Sequence, residues 1–202
     1  MRGPSRRAPR GEWGHFAAAW RRAAAMACLA IAGAASLIVA APLHAAPANM
    51  FVQVYFNNEK LAARADDCAA VFAVTRPLPH TAGVATAALN QLFAGPTEAE
   101  RAAGYRSPFS AATAGLLRGV RVDHGTAYVN LNDPRTLLAG ATSSCGAAEF
   151  RAQLDHTLRQ FPTVRRVIFA IDGEPRAFYE WQGESCDLSN DRCDAAPFRH
   201  GR

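Results

Sequence analysis

The sequence lacks the short motifs that mark the common enzyme classes. Its 202 residues contain no Gly-x-Ser-x-Gly elbow, no glycine-rich phosphate loop and no His-Glu-x-x-His pair. These absences argue in turn against nucleophile-elbow hydrolases, P-loop nucleotide enzymes and zincin-type proteases. There is no Cys-x-x-Cys or His-x-x-x-His spacing either, which removes the usual zinc frameworks; no metal or other cofactor is expected. No internal repeat is apparent. Between Ala23 and Ala41 the chain carries no charge at all.

That uncharged stretch is informative because of what flanks it. Before it lie Arg2, Arg6, Arg7, Arg10, Arg21 and Arg22 against a single acid, Glu12. Within it Leu29, Ile31, Leu37, Ile38 and Val39 sit among alanines, and Pro42 closes it. Ala45, Ala46 and Ala48 then offer small residues for a peptidase. A basic stretch, an apolar stretch and a small-residue exit describe a secretory signal peptide over residues 1–46. The apolar run is also near bilayer-spanning length, so the alternative is an uncleaved anchor; its richness in alanine over leucine favours cleavage. In both cases the arginines stay cytoplasmic and the domain is exported, to the periplasm or beyond. Cys28 lies too early in the run for a lipoprotein anchor.

Export changes the charge argument. The whole chain has 22 basic and 17 acidic residues. Six of the basic residues and one acid precede Ala46, so the remainder is balanced at sixteen of each. The basic surplus belongs to targeting, and nucleic acid is not an expected partner. Cysteine usage agrees. Cys68, Cys145, Cys186 and Cys193 remain after the signal, an even set that reads as two disulfides with three connectivities. The preferred pairing joins Cys186 to Cys193 across a short tail loop and Cys68 to Cys145 across two distant loops.

Residues 50–181 read as one domain, long enough to bury about two-thirds of its unfolded surface. Phe51–Phe56 and Ala70–Arg76 are strands by aromatic and β-branched content, the second ended by Pro77 and Pro79. Val84, Ala85, Ala88, Leu89 and Leu92 define one helix face, stopped at Gly95-Pro96. Thr97 and Glu100 form a capping box for a short helix that Gly104 ends. Leu116–Val122 and Thr126–Leu131 are strands around the turn Asp123-His124-Gly125. A helix over residues 147–160 buries Phe150, Leu154, Leu158 and Phe161. The last strand, Val164–Ile171, is nearly all apolar and is expected at the centre of the sheet. The order ββαββαβ predicts an α+β fold, helices packed on a mixed sheet, followed by a polar, irregular tail over residues 182–202.

The sharpest catalytic candidate is Cys145, set just before a helix whose N-terminal dipole would lower a thiol pKa. In an exported chain a half-cystine is the stronger reading. His156 projects about 160° away from the apolar stripe of its helix and is expected in solvent. His124 and His80 read as surface residues in a turn and a proline-rich loop. Asp66-Asp67 suits a loop, and Asp172 before Gly173 a turn. No catalytic residue is assigned.

Several stretches carry a family likeness. Val52-Gln53-Val54-Tyr55-Phe56, Val71–Arg76, and Leu92-Phe93-Ala94-Gly95-Pro96-Thr97 within Leu89–Glu100 come first in order. Val120-Arg121-Val122, Ala127–Leu131, Gln153–Phe161 and Val164–Gly173 follow. Together they resemble the GerMN domain of sporulation and spore germination proteins, over roughly residues 51–173. The resemblance implies a non-enzymatic module of the bacterial cell envelope, similar to ring-building domains that assemble or dock in envelope complexes. Its implied partners are envelope proteins, cell-wall components or further copies of itself, with membrane contact only through a retained N-terminal anchor. One domain copy and four exported cysteines depart from the sporulation proteins and fit a single-domain periplasmic protein better. The alternatives from other classes are an envelope thiol enzyme or hydrolase using Cys145, and a small-ligand binding domain.

Overall fold

A computed structural model describes residues 49–64, 66–186 and 191–199. The proposed signal segment lies outside the described residues. Strand β1 (Asn49–Asn58) pairs antiparallel with β2 (Val71–Pro79), with Val54 opposite Val74 and Phe56 opposite Phe72. Alternation decides its faces: Val52, Val54, Phe56 and Asn58 are buried, while the residues between them are not. The two-residue β3 (Tyr105–Arg106) pairs with the far end of β1, giving the sheet order β2-β1-β3. A second sheet has the order β4-β5-β6, from β4 (Leu117–Asp123), β5 (Thr126–Leu131) and β6 (Arg166–Ile171). β5 is antiparallel to β4 and parallel to β6. The fold is thus α+β as expected, with the strands divided into two sheets of three.

Helices α1 (Val84–Phe93) and α3 (Ser144–Arg159) supply the apolar stripes that close the core. Phe150, Leu154 and Leu158 of α3 meet Leu89, Leu92 and Phe93 of α1, the inner face of β1, and Val129 and Leu131 of β5, all fully buried apart from 2% exposure at Val52. The Phe150 ring lies 5.5 Å from Phe109 and 5.6 Å from Trp181, so one side chain links three segments. At about 1.5–3 kcal/mol for each buried large apolar side chain, this cluster is the main favourable term in folding.

The structure corrects four details of the sequence reading. β2 runs through Pro77 and Pro79 instead of ending before them. It is an edge strand, where a missing N–H facing the open side breaks no ladder bond. Helix α3 begins three residues earlier than expected, because Ser143 caps it by accepting from Gly146 N–H at 3.1 Å. β6 is an edge strand and not central. Its apolar run is explained by an unanticipated helix, α4 (Pro175–Trp181), which starts with proline at its first turn. Phe178 of α4 stacks on Phe169 at 4.8 Å and the Tyr179 hydroxyl accepts from Phe169 N–H at 3.4 Å. The tail, finally, carries a one-turn helix α5 (Ala196–Arg199), whose Phe198 ring sits 5.7 Å from Tyr128.

α3 also completes β1. Between its two partners β1 leaves main-chain groups that no strand satisfies, and α3 supplies side chains in place of one. Gln160 accepts from Gln53 N–H at 2.8 Å and donates to Gln53 C=O at 2.6 Å, as an adjacent strand would. Thr157 accepts from Tyr55 N–H at 3.1 Å. An open edge is covered this way without a further strand.

The segment after α1 is locked by Arg76. Its guanidinium donates to both carboxylate oxygens of Glu100, at 3.1 and 2.5 Å, and to the carbonyls of Gln91 at 2.8 Å and Gly95 at 2.9 Å. The Phe56 ring lies under it at 5.3 Å. Glu100 belongs to the short helix α2 (Glu98–Ala102), where it and Thr97 cap each other as expected. Gly95 has φ +74°, and a Cβ there would sit 2.8 Å from the Phe109 carbonyl carbon. Glycine is required both by the conformation and by this close approach.

Arg76 and Glu100 side chains are only 9% and 13% exposed. Removing one partner of such a pair costs about 3–5 kcal/mol, so Arg76→Leu should shift the urea midpoint far more than an exposed arginine substitution does. Burial pushes the Glu100 carboxyl up, but hydrogen bonds from Arg76 and Thr97 outweigh it and hold the group below the ordinary glutamate value. A folded pKa below the unfolded one gives stability that is present at neutral pH and lost as pH falls through the folded value. Stability measured against pH should therefore decline on acidification in the parent protein, with a shallower decline in Glu100→Gln.

Candidate functional site

The structure joins Cys68 to Cys145 and Cys186 to Cys193, with Cα separations of 5.3 and 5.5 Å. Both lie within the range a disulfide spans. Cys145 sits inside the first turn of α3 and Cys68 in the β1–β2 connection. The Cys68 loop is held from below by Asn57, which donates to the carbonyls of Cys68 at 2.8 Å and Ala70 at 3.0 Å. Asn57 in turn accepts from Gln153 of α3 at 2.7 Å, and Gln153 accepts from the Ser107 hydroxyl at 2.6 Å. A half-buried amide network, centred on the buried Gln153, thus holds the Cys68 loop against α3. Glu149 stands next to it, its carboxyl raised by burial despite the nearby Arg106 charge.

The remaining candidates are scattered. His80 follows β2, His124 occupies the β4–β5 turn, and His156 projects from the outer face of α3; all three are exposed. His124 and Gly125 both take positive φ, 46° and 85°, as a tight two-residue hairpin turn demands. Asp66 is ion-paired with Arg64 at 2.9 Å in solvent, and Asp67 accepts from Ala69 N–H at 3.1 Å within its loop. Asp172 pairs with Arg118 at 2.6 Å on the surface. Among the described residues, the shallow groove that Cys145 lines holds Glu149 and no histidine, and the Cys145 sulfur is bonded to Cys68.

Among the described residues, the concave features include two that sequence reading missed. One is an apolar groove of about 380 Å³ between the start of α1, β4 and the turn after α3, lined by Val84, Val120, Val122, Phe161, Pro162 and Val164. The other is a cleft of about 450 Å³ where α3, β6, α4 and the tail meet. Arg151, Arg159, Arg166 and Arg192 line it against one lining acid, Asp155. Arg151 and Arg159 lie on one helical face with Asp155 between them, so their convergence was visible as i, i+4 spacing. Arg166 and Arg192 arrive from elements that are distant in sequence, which no local pattern could show. Glu184 ties the tail to the cleft by pairing with both Arg151 and Arg192. Burial, and secondarily the Arg192 charge, lower the Arg151 guanidinium from its ordinary value. Burial also raises the Tyr179 phenol, over which Arg192 stacks at 4.9 Å. Among the described residues, no group of three His, Cys, Asp or Glu side chains could hold a metal ion, and no helix is long and apolar enough to cross a membrane.

A family model for sporulation and spore germination domains, Germane, matches residues 53–177. The chain belongs to the Germane family. The match runs from within β1 to within α4 and contains the whole Arg76–Glu100 lock. Among solved structures, the tandem GerMN domains of the sporulation protein GerM from Bacillus subtilis are similar at 18% identity, with a TM-score of 0.43. That similarity covers 62% of this chain and 40% of GerM, so the chain spans less than half of that protein. No curated protein matches. Arg151, Arg159 and Arg166 fall within the matched residues, whereas Glu184, Arg192 and the Cys186–Cys193 disulfide lie beyond them.

The two disulfides should differ in weight. Cys68–Cys145 spans 77 residues and Cys186–Cys193 spans 7. Loop-closure entropy then gives about 4 kcal/mol for the long loop and about 2 kcal/mol for the short one. Thermal unfolding of the paired alanine variants should show the larger loss for Cys68→Ala with Cys145→Ala.

Proposed function

We propose that this Germane domain is an exported, non-catalytic interaction module of the cell envelope, docking on envelope proteins or cell-wall components. The observation that carries the reading is the pairing of all four cysteines that follow the basic and apolar N-terminal segment. Disulfides of this kind persist in oxidising compartments and are reduced in the cytosol. The pairing also consumes the one thiol that could have served as a nucleophile, Cys145. Membership in a sporulation and spore germination family is compatible with a role in the envelope. On this reading the domain works by holding partners rather than transforming them. The balanced charge after residue 46 makes general electrostatic adhesion a minor contributor, so partner contacts are local and shape-dependent.

The reading is tested on protein recovered from the producing cell. Alkylation before reduction, followed by intact-mass measurement, should add no adduct, and N-terminal sequencing should begin just after Ala46. Alkylation of Cys145 in the exported protein would return the thiol-enzyme reading to first place. Cross-linking in intact cells should capture envelope components, and capture of cytosolic proteins alone would remove the export reading.

A further inference from the structure

An open sheet edge presents unpaired N–H and C=O groups, a template for another strand. Among the described residues, most edges of the two sheets are blunted. β2 carries Pro77 and Pro79, and β3 is only two residues long. Beside β6, the Arg165 carbonyl accepts from Arg159 at 2.8 Å. Phe169 N–H donates to the Tyr179 hydroxyl at 3.4 Å, and Ile171 N–H to the Glu174 carbonyl at 3.2 Å. The β4 edge differs. His124 and Gly125 make a two-residue turn, so Asp123 and Thr126 form a hydrogen-bonded pair and the pairing alternates from there. Arg121 bonds to Tyr128, while Val120 and Val122 oppose Val129 and Ala127 as non-hydrogen-bonded pairs. The N–H and C=O of Val120 and Val122 therefore point away from β5, along the open edge. Among the described residues nothing donates to these groups or accepts from them. A register shift between Leu117 and Gly119 limits the open run to Gly119–Asp123.

The side chains of the same two valines line the apolar groove of about 380 Å³, and Val122 is 39% exposed. Ala82, Gly83 and Ala85 line it around the start of α1, where their small size leaves room. Among the described residues no charged side chain lines it. The arginines of β4 border the pocket on the other face of the strand, Arg118 paired with Asp172 at 2.6 Å and Arg121 with Asp123 at 2.8 Å. We propose that the β4 edge and this groove bind an extended segment of a partner protein, added to the second sheet as a further strand. Alternate N–H and C=O groups in one line are the complement of another main chain. An added strand turns every second side chain toward the groove, where a charge would lose its water without gaining a partner. The partner segment is therefore uncharged at alternate positions, with small or β-branched side chains there. So short an edge suits a flexible segment better than a second folded copy, since a stable interface buries about 1,200 Å² or more. The proposal rests on the interaction-module reading and names its docking surface.

The test uses protein recovered from the producing cell. Amide hydrogen exchange in the free protein should be fast at Val120 and Val122 and slow at Arg121. The probe is the end-capped peptide Lys-Thr-Val-Thr-Val-Thr-Lys, compared with its fully N-methylated counterpart. Titration should give saturable amide shifts at residues 82–86, 119–123 and 161–164 and slow the two valine amides about tenfold or more, with no saturable shift from the N-methylated peptide. V122K sets a charge in the groove, and V122P removes an outward N–H without breaking a ladder bond. Each should weaken peptide binding by about fivefold or more; V122K, at a partly exposed position, should keep the parental melting temperature and carries the test if V122P unfolds. Cross-linking in cells separates this proposal from the module reading. Envelope capture by the parent that is lost in V122K supports the groove. Equal capture by both overturns the groove and leaves the module reading standing, and no capture by the parent overturns both. A dimer of the parent that dissociates in V122K would assign the edge to a second copy and overturn the proposal. Slow exchange at both valines in the free protein, shifts that fail to saturate, equal binding of the N-methylated peptide, or a folded V122K that binds as the parent does would overturn it too.

Discussion

The Arg76 guanidinium is the constraint on which the rest of the structure depends. It is nearly buried, and a charge in that position is tolerated only when fully paired and hydrogen-bonded. Its acceptors are the Glu100 carboxylate and two carbonyls at the end of α1, so desolvating Arg76 requires α1, the Gly95-Pro96-Thr97 bend and α2 to be placed together. Gly95 must then lie against the Phe109 backbone, which directs the chain toward β4 and the second sheet. A single charged side chain on β2 thereby sets the route of the chain between the two sheets.

α3 has the complementary task of joining the sheets from the other side. Its apolar stripe fills the core, while Gln153, Thr157 and Gln160 address the main chain and side chains of β1 with amide and hydroxyl groups. Buried polar groups on a core helix are costly unless each finds its partner, and here the partners are the strand groups that lack a neighbour. The same helix carries Cys145 at its start and Arg151, Asp155 and Arg159 on its outer face. One element therefore combines core packing, edge satisfaction, a disulfide and one wall of the cationic cleft.

Much of this was legible in the residues themselves. The capping box of Thr97 and Glu100, the hairpin at His124-Gly125, the stripe of Phe150, Leu154 and Leu158, and the outward aim of His156 follow from local rules and stand in the structure as read. The errors have local causes too. Two prolines looked like a strand end because the residues alone do not say that β2 lies at an edge. The apolar β6 looked central because α4, which covers it, is a short helix whose only strong signal is Pro175 at its start.

The sequence by itself determined the α+β class, through periodicity, caps and turn residues, and the family, through the likeness of several motifs taken in order, because both are carried by local stretches. Export remains a proposal drawn from the charge and hydropathy of the N-terminal segment. The tertiary structure alone decided that the strands form two sheets, that Arg76 meets Glu100, and that Cys145 reaches Cys68 across 77 residues. It also decided that arginines from α3, β6 and the tail share one cleft. The reason is physical: the burial that makes a charge seek a partner, or makes four charges neighbours, exists only once the chain has closed on itself.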